Sequence, residues 1–577
     1  MAGTPGPIGQ GRESDFNEEN VMAYDLVIRG GTLVDGSGGA GFVADVAVRD
    51  GRIVKIGQIS GEATQTVDAT GRVVAPGFID PHTHYDAQLS WDPLVTPTAW
   101  HGVTTTVIGN CGVGLAPCRP DTRERALWDL INVEAMSREV LEAGIDWQWE
   151  SFGEFMAATL GRGSAINLGF LVPLSPLRTY ALGEAASERA ATTAETDTLC
   201  GLLGDALSAG ALGFSSSQQP NHVGYNGTPL ASRLTSNDEF AAYARTVGKH
   251  GRGGIEIAVT KKLAHLQDED VALLELLCEQ SGRPVTWLTL LDLNSSPGCA
   301  FAAVERAGHL TAKGCYPQTV VRPFMAEADV RNPFMFAPLP AWKAAFNQPV
   351  EVQKKLYADV AFRRTFRADM AEGRSLVRDW NHFELLSADN PALQPLLGRT
   401  VADIAAERGA DPCDTFLDLA IADEVNTRFR VAVANSDDAN LARMLTDPRI
   451  RIGLGDGGAH VDMLCEAGYT TYLLGYWVRE RGLMSLERAV QRITSEAAGL
   501  FGIRDRGLLK EGYFADIVVF DPATVGSDHR PHLVADLPAG GKRMIAEARG
   551  VDCTIVNGRL VFDHGRHTGA LPGVAVN

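Results

Sequence analysis

Eight short apolar runs alternate with stretches of helical periodicity through the middle of this 577-residue chain, and that alternation leaves few architectures open. The runs are GFIDPHTH, TTTVIGNCG, INLGFLVPL, ALGFSSS, GIEIAVT, PVTWLTLLD, RVAVAN and RIGLGDGG, spread between about residues 76 and 505. Each reads as a strand. Helix-like stretches separate most of them, such as AETDTLCGLLGDALSAG before the fourth and SNDEFAAYARTVGKHG before the fifth. Eight β/α units predict an α/β fold, a closed (β/α)8 TIM-type barrel, whose catalytic side chains come from the C-terminal ends of its strands. A barrel with insertions can absorb most of a chain this long as one unit.

The two ends of the chain have a different rhythm. From Tyr24 the runs YDLVIRG, TLVDGSG, DVAVRDG, RIVKIG and RVVAPG are β-rich and close on Gly, Asp or Asn, as hairpins do. ADIVVFDP and CTIVNGRLVFDHGR repeat the style near the C-terminus. Residues 24–75 and 508–577 are therefore expected to build one small β-sandwich against a catalytic barrel of residues 76–507. Two insertions should interrupt the barrel, near 118–160 and 315–400, and serve as lids or pocket walls. Trp147 and Trp149 in the first can wall a pocket or pin the insertion to the barrel. Residues 1–23 are polar and rich in Gly, Pro and acids, and read as a disordered N-terminal extension.

Composition narrows the partners. Seventy-one acidic against 52 basic residues give a net charge of −19, a field that repels phosphate backbones and anionic lipid. Nucleic acid and membrane surfaces are poor partners for it, whereas a small molecule is not excluded. No signal-type segment and no apolar run long enough to span a bilayer is present. Nine cysteines are scattered without a CxxC pair, which reads as reduced cytosolic thiols, so the expected location is cytoplasmic. Nothing in the sequence decides for or against a homo-oligomer. The glycine-rich GGTLVDGSGGAG lies among hairpins and lacks the strand–loop–helix setting that phosphate binding needs.

The strongest chemical signal is PGFIDPHTHYD. His82 and His84 are two apart at the end of an apolar run, so in strand geometry both imidazoles project to one side and can reach one cation. Neutral imidazole is a natural zinc ligand. The competing reading is a pair of strand-end histidines held by hydrogen bonds; their place after the first barrel strand favours metal.

DLVIRGGTLVDG, VVAPGFIDPHTHYDAQ, TTTVIGNCG and ADIVVFDP together resemble the amidohydrolase superfamily, and within it the N-acyl-D-amino-acid deacylase (D-aminoacylase-like) group. The likeness runs from about Ala23 to the end and is thinner from about 255 to 400. It implies a metal-bearing barrel with a β-sandwich formed by both chain ends. It also implies that His82 and His84 are the paired ligands of the first strand and that Cys111 in GNCG is the group's cysteine ligand. Asp456 in IGLGDGGAH corresponds to the essential aspartate, a carboxylate able to bind metal and take a proton from the attacking water. Read without the resemblance, Cys111 can be a small core residue and Asp456 a turn former.

The sequence also departs from the group. Its fifth and sixth strands should each deliver a histidine ligand, yet GGIEIAVTKK and RPVTWLTLLD contain none, and Val259 and Thr289 fall near the expected positions. Glu256 has donor chemistry but can equally face the outer helices; His250 precedes the strand and His265 follows it. His222, after the fourth strand, is the preferred replacement ligand. The expected cofactor is zinc or another divalent metal, one tightly bound ion per chain. For substrate, His460 can orient substrate or Asp456, and Arg178 or Arg233 can grip a carboxylate. The expected function is hydrolysis of an amide-type C–N bond in a small molecule such as an N-acyl amino acid. The missing histidines keep two alternatives open: a decarboxylase or lyase, or a catalytically inactive barrel on the same scaffold.

Overall fold

The computed structural model describes Gly3 and residues 24–577, apart from 135, 332, 337–338, 347 and 373–376. The N-terminal extension expected over residues 1–23 lies, Gly3 aside, outside the described residues.

Eight parallel strands in chain order form the central sheet. They are β1 (Phe78–Asp80), β2 (Val103–Ile108), β3 (Asn167–Pro173), β4 (Gly213–Ser217), β5 (Gly254–Ala258), β6 (Val285–Leu288), β7 (Cys315–Thr319) and β8 (Arg451–Ile452). Most are buried at every position, as strands covered on both faces must be. The circle is closed beyond the strand ends by a parallel bridge between Thr83 and Gly457. Two backbone bonds make it: the Asp456 N–H donates to the His82 carbonyl at 2.9 Å, and the His84 N–H donates to the Gly457 carbonyl at 2.7 Å.

The seventh strand corrects the expectation. RVAVAN lies in Arg428–Ala434, the centre of a separate three-stranded antiparallel sheet with Phe324–Asp329 and Phe383–Ser387. CYPQT, expected to open the second insertion, is instead β7. RFRVAVA alternates between partly and fully buried positions in its first half, the pattern of a half-covered antiparallel strand. β7 is masked in the sequence because Pro317 and Gln318 are poor strand formers. The insertion therefore starts after Thr319. It carries its own aromatic core, in which Phe336 stacks on Trp342 at 4.4 Å and Phe416 meets Phe429 at 4.5 Å. In the first insertion the buried Trp149 donates from Nε1 to the Leu115 carbonyl at 2.9 Å, pinning that segment to the loop after β2.

Both chain ends enter one nine-stranded sheet. The joint is Val73–Pro76 paired antiparallel with Ile517–Phe520. Alternation then sorts the side chains: Ile517 and Val519 share a buried cluster with Leu26, Ile28 and Val46, while Val518 and Phe520 join the barrel core. Each end supplies half of a face that neither can bury alone.

Candidate metal centre

The loops that follow β1, β2 and β8 bring four donors together. His82 and His84 extend the β1 line by two and four residues and stay on one side of it, both nearly fully buried. Their Nε2 atoms lie 3.2 Å apart. Cys111 Sγ is 3.6 Å from His82 Nε2. Asp456 Oδ1 is 3.6 Å from His82 Nε2 and 3.3 Å from His84 Nε2. A tetrahedral metal bound at about 2.0–2.3 Å holds its donors about 3.3–3.8 Å apart. The observed spacings are of that size, and two imidazole nitrogens so close need a cation or a proton between them. Among the described residues the donor atoms of His82, His84 and Cys111 all lie within 4.8 Å of one another, and Asp456 faces the two histidines from beside that trio. The donor set fits a divalent metal.

Local backbone geometry supports the same reading. Cys111, Asp456 and His460 have φ of 54°, 50° and 46°. Such left-handed conformations are unfavourable for residues other than glycine, and they concentrate where surrounding structure fixes a functional side chain.

The electrostatics are those of a crowded, dry site. Burial and the neighbouring His84 push His82 down to about 3. Burial acts against charge on His84 too, but Glu134 and Asp456 outweigh it and raise His84 to about 9. Asp456 is partly buried, and although burial acts to raise it, His84 and His82 hold it below the ordinary carboxylate range. Burial lifts the Cys111 thiol well above its usual value, with Glu256 adding to the effect. Burial also pushes Glu256 up to about 8. A cation among these groups would reverse the cost of their charges.

The remaining candidates divide. Glu256 faces the barrel interior, not the outer helices: its Oε2 accepts the Cys111 N–H at 2.8 Å, and its Oε1 has no hydrogen-bond partner among the described residues. His222 stays outside the donor cluster, although its charge is felt by His82 and its own pKa falls to about 3 through burial and His460. His460 approaches through its backbone, donating to the Glu134 carbonyl at 2.6 Å. Arg178 cannot grip a substrate: it is fully buried and both its terminal nitrogens are taken, one by Glu239 and the other by the Arg189 carbonyl at 2.9 Å. Arg233 donates to the Pro220 and His222 carbonyls at 3.0 and 3.2 Å, so it braces the loop after β4. His265 bonds Leu263 and Ser296 away from the centre. Where the fifth and sixth strands lack histidine, the Gln219 amide donates to Thr260 and Thr289 at 3.2 and 2.9 Å, a neutral network.

Two features escaped sequence reasoning. Glu134, at the end of an insertion helix, places Oε1 3.2 Å from His84 Nδ1. Arg322, three residues past β7, lies with Glu466 on a cavity of about 290 Å³ between barrel and insertion. Arg322 Nε is 3.1 Å from Glu466 Oε2, its guanidinium sits 4.9 Å over the Tyr472 ring, and its terminal nitrogens have no hydrogen-bond partner among the described residues. Leu464, Glu466 and Met544 line both this cavity and the small space beside Asp456. Nothing in the local sequence flags either residue, because each contact crosses more than 40 positions.

Converging nitrogen, sulfur and carboxylate donors at the mouth of a parallel barrel define a metal-dependent hydrolase. Residues 65–562 match the amidohydrolase family, and the chain belongs to it. It is an enzyme that hydrolyses C–N bonds other than peptide bonds. Among its relatives, D-aminoacylase of Alcaligenes xylosoxydans xylosoxydans is 29% identical, covering 97% of this chain and 98% of that protein. N-acyl-D-aspartate deacylase of the same organism is 30% identical over 95% of this chain and 93% of its own. A solved D-aminoacylase with a binuclear metal centre, activated by one metal and attenuated by the second, superposes with a TM-score of 0.63 at 25% identity, covering 96% and 100% of the two chains. Among the described residues no helix is long and apolar enough to cross a membrane.

Proposed function

We propose that this enzyme removes the acyl group from an N-acyl-D-amino acid, using one divalent metal held by His82, His84, Cys111 and Asp456. The observation that carries the reading is the convergence on His82: His84, Cys111 and Asp456 all lie 3.2 to 3.6 Å from its Nε2, and Asp456 lies 3.3 Å from His84 Nε2. The deacylase activities named for the relatives support the substrate class. They also weigh against a lyase or an inactive barrel.

When bound, the metal supplies Lewis-acid polarisation of the scissile carbonyl and activation of water. Asp456 does the proton work: it is held ionised beside two imidazoles, accepts the proton of the attacking water and delivers it to the leaving nitrogen. Arg322 is buried against Glu466 and Tyr472 at the cavity beside the Asp456 loop, but its two terminal nitrogens are unfilled among the described residues and would take the substrate carboxylate, the role expected of Arg178 or Arg233 from the sequence. In this reading His222 and His460 stand near the donors without ligating. A single ion, preferably zinc, is supported by Val259 and Thr289, which stand near where histidines are expected, and by the neutral Gln219 network beside them. Residues 24–75 with 508–577 act as one β-module on a barrel of residues 76–507, and nine free cysteines support a cytoplasmic location.

A panel of N-acyl-D- and N-acyl-L-amino acids and simple amides, assayed before and after chelation, tests the reading. Deacylation of D substrates that is lost on chelation and restored by zinc is expected. Turnover unaffected by complete metal removal would refute it.

A further inference from the structure

The helix Arg123–Glu134 (α1) is inserted between β2 and β3, and it reaches the metal centre from outside the barrel. Its apolar side, Ala126, Leu127, Leu130 and Val133, is buried, which explains its docking. It also buries two carboxylates, Asp129 and Glu134. Buried carboxylates persist only where something answers their charge or fills their hydrogen bonds. Asp129 Oδ1 accepts the Tyr225 N–H at 2.9 Å, and neighbouring Asn132 donates to the Gly224 carbonyl at 2.9 Å. Both bonds hold the loop after β4 that carries His222. Glu134 is answered by His84, 3.2 Å away.

We propose that Glu134 is a positioning residue for His84, and that through it α1 is coupled to metal binding. The two ring nitrogens of His84 face different partners. Nδ1 lies 3.2 Å from Glu134 Oε1, with both side chains no more than 3% exposed; the approach is oblique, an ion-pair contact rather than a linear hydrogen bond. Nε2 faces Asp456 and His82 at 3.3 and 3.2 Å. A carboxylate on the Nδ1 side draws the imidazole proton there and leaves the Nε2 lone pair for a cation. Neither Nδ1 makes a hydrogen bond among the described residues, but His84 Nδ1 has a carboxylate at 3.2 Å and none is found beside His82 Nδ1. The same Glu134 accepts the His460 N–H through its backbone carbonyl at 2.6 Å, four residues after Asp456. One residue thus orients a donor and anchors the loop that carries another.

This inference rests on the metal reading proposed above, and the test separates the two. Zinc affinity is measured by chelator competition for the full-length enzyme, Glu134→Gln, Glu134→Ala and Asn132→Ala, with hydrogen exchange of residues 123–134 followed with and without zinc. Wild type should bind zinc and show slower exchange in α1 when zinc is present. Glu134→Ala should bind ~10–100-fold more weakly, the range for lost outer-shell partners, and zinc should no longer slow exchange in the helix. Glu134→Gln, isosteric and still an acceptor, should fall between the two. Asn132→Ala loosens the same helix without touching His84 and should keep wild-type affinity. Equal zinc affinity in wild type and Glu134→Ala would overturn the proposal. So would equal weakening by Asn132→Ala, which would make α1 a general support. A wild-type enzyme that binds no zinc would instead remove the metal reading beneath it.

Discussion

Asp456 meets His82 twice: its N–H donates to the His82 carbonyl at 2.9 Å, and its Oδ1 lies 3.6 Å from His82 Nε2. The contact that closes the barrel between β8 and β1 is therefore the contact that assembles half of the donor set. Chemistry and closure cannot be altered independently here, and backbone-sparing substitutions are the ones that read out chemistry.

Asp456→Asn is such a substitution, because asparagine tolerates the left-handed backbone that Asp456 adopts. Loss of a general base costs on the order of 10²–10⁴-fold in rate. Turnover should fall in that range while the circular-dichroism melt stays close to wild type. Near-normal kcat in a well-folded variant would exclude Asp456 as the proton carrier.

Metal analysis of the purified enzyme should return close to one tightly held ion per chain, removed by chelation together with activity. The physical basis is that a four-coordinate catalytic zinc needs about three protein ligands and an open position, and three of these four side chains are enough to supply them. Two tightly held ions would mean that Glu256 and His222 form a second site.

Arg322→Lys keeps the charge but loses the planar fork that matches a carboxylate. Hydrogen bonds to charged groups contribute about 1.5–3 kcal/mol, so kcat/KM for N-acyl amino acids should drop roughly 10–100-fold. The matching N-acyl amino acid carboxamides, which lack the carboxylate, should be little affected. An equal loss on both substrate sets would move the carboxylate site elsewhere.

Asp129 gives a pH signature remote from the donors. Burial raises its carboxyl to about 7, against the opposing Tyr225 N–H bond. Below the unfolded value near 4 both states are protonated and Asp129 contributes no difference. As pH rises from there to about 7 the unfolded chain gives up its proton first, so folding becomes less favourable, by up to about 4 kcal/mol. Asp129→Asn keeps the acceptor for Tyr225 and removes the ionisation. Its thermal midpoint should exceed that of wild type more at pH 8 than at pH 5; a difference independent of pH would contradict the assignment.

A chain ending at residue 505 would leave Val73–Pro76 without Ile517–Phe520 and expose Leu26, Ile28 and Val46. It should be insoluble. Soluble, cooperatively folding truncated protein would show that the N-terminal strands form a module by themselves.

Much of the barrel was readable because periodicity is local. Seven of the eight strands stand where GFIDPHTH, TTTVIGNCG and their successors put them, and the two-residue spacing of His82 and His84 already implied a shared side. The seventh was misplaced for the same reason. RVAVAN carries strong strand chemistry and CYPQT carries little, but membership of the barrel is decided by pairing with Trp287 and Ile452, not by propensity.

What the sequence determined by itself was the class: strand–helix alternation, β-rich ends, and the positions of His82, His84, Cys111 and Asp456 at strand ends. The tertiary structure alone decided which side Glu256 faces, that Arg178 is consumed by Glu239, and that Glu134 and Arg322 reach the site. Periodicity reports which side of its own element a residue occupies. It carries no information about contacts between residues 50 or more positions apart, such as Glu134 with His84 or Arg322 with Glu466, and those exist only once the barrel, its insertions and the terminal sheet have packed.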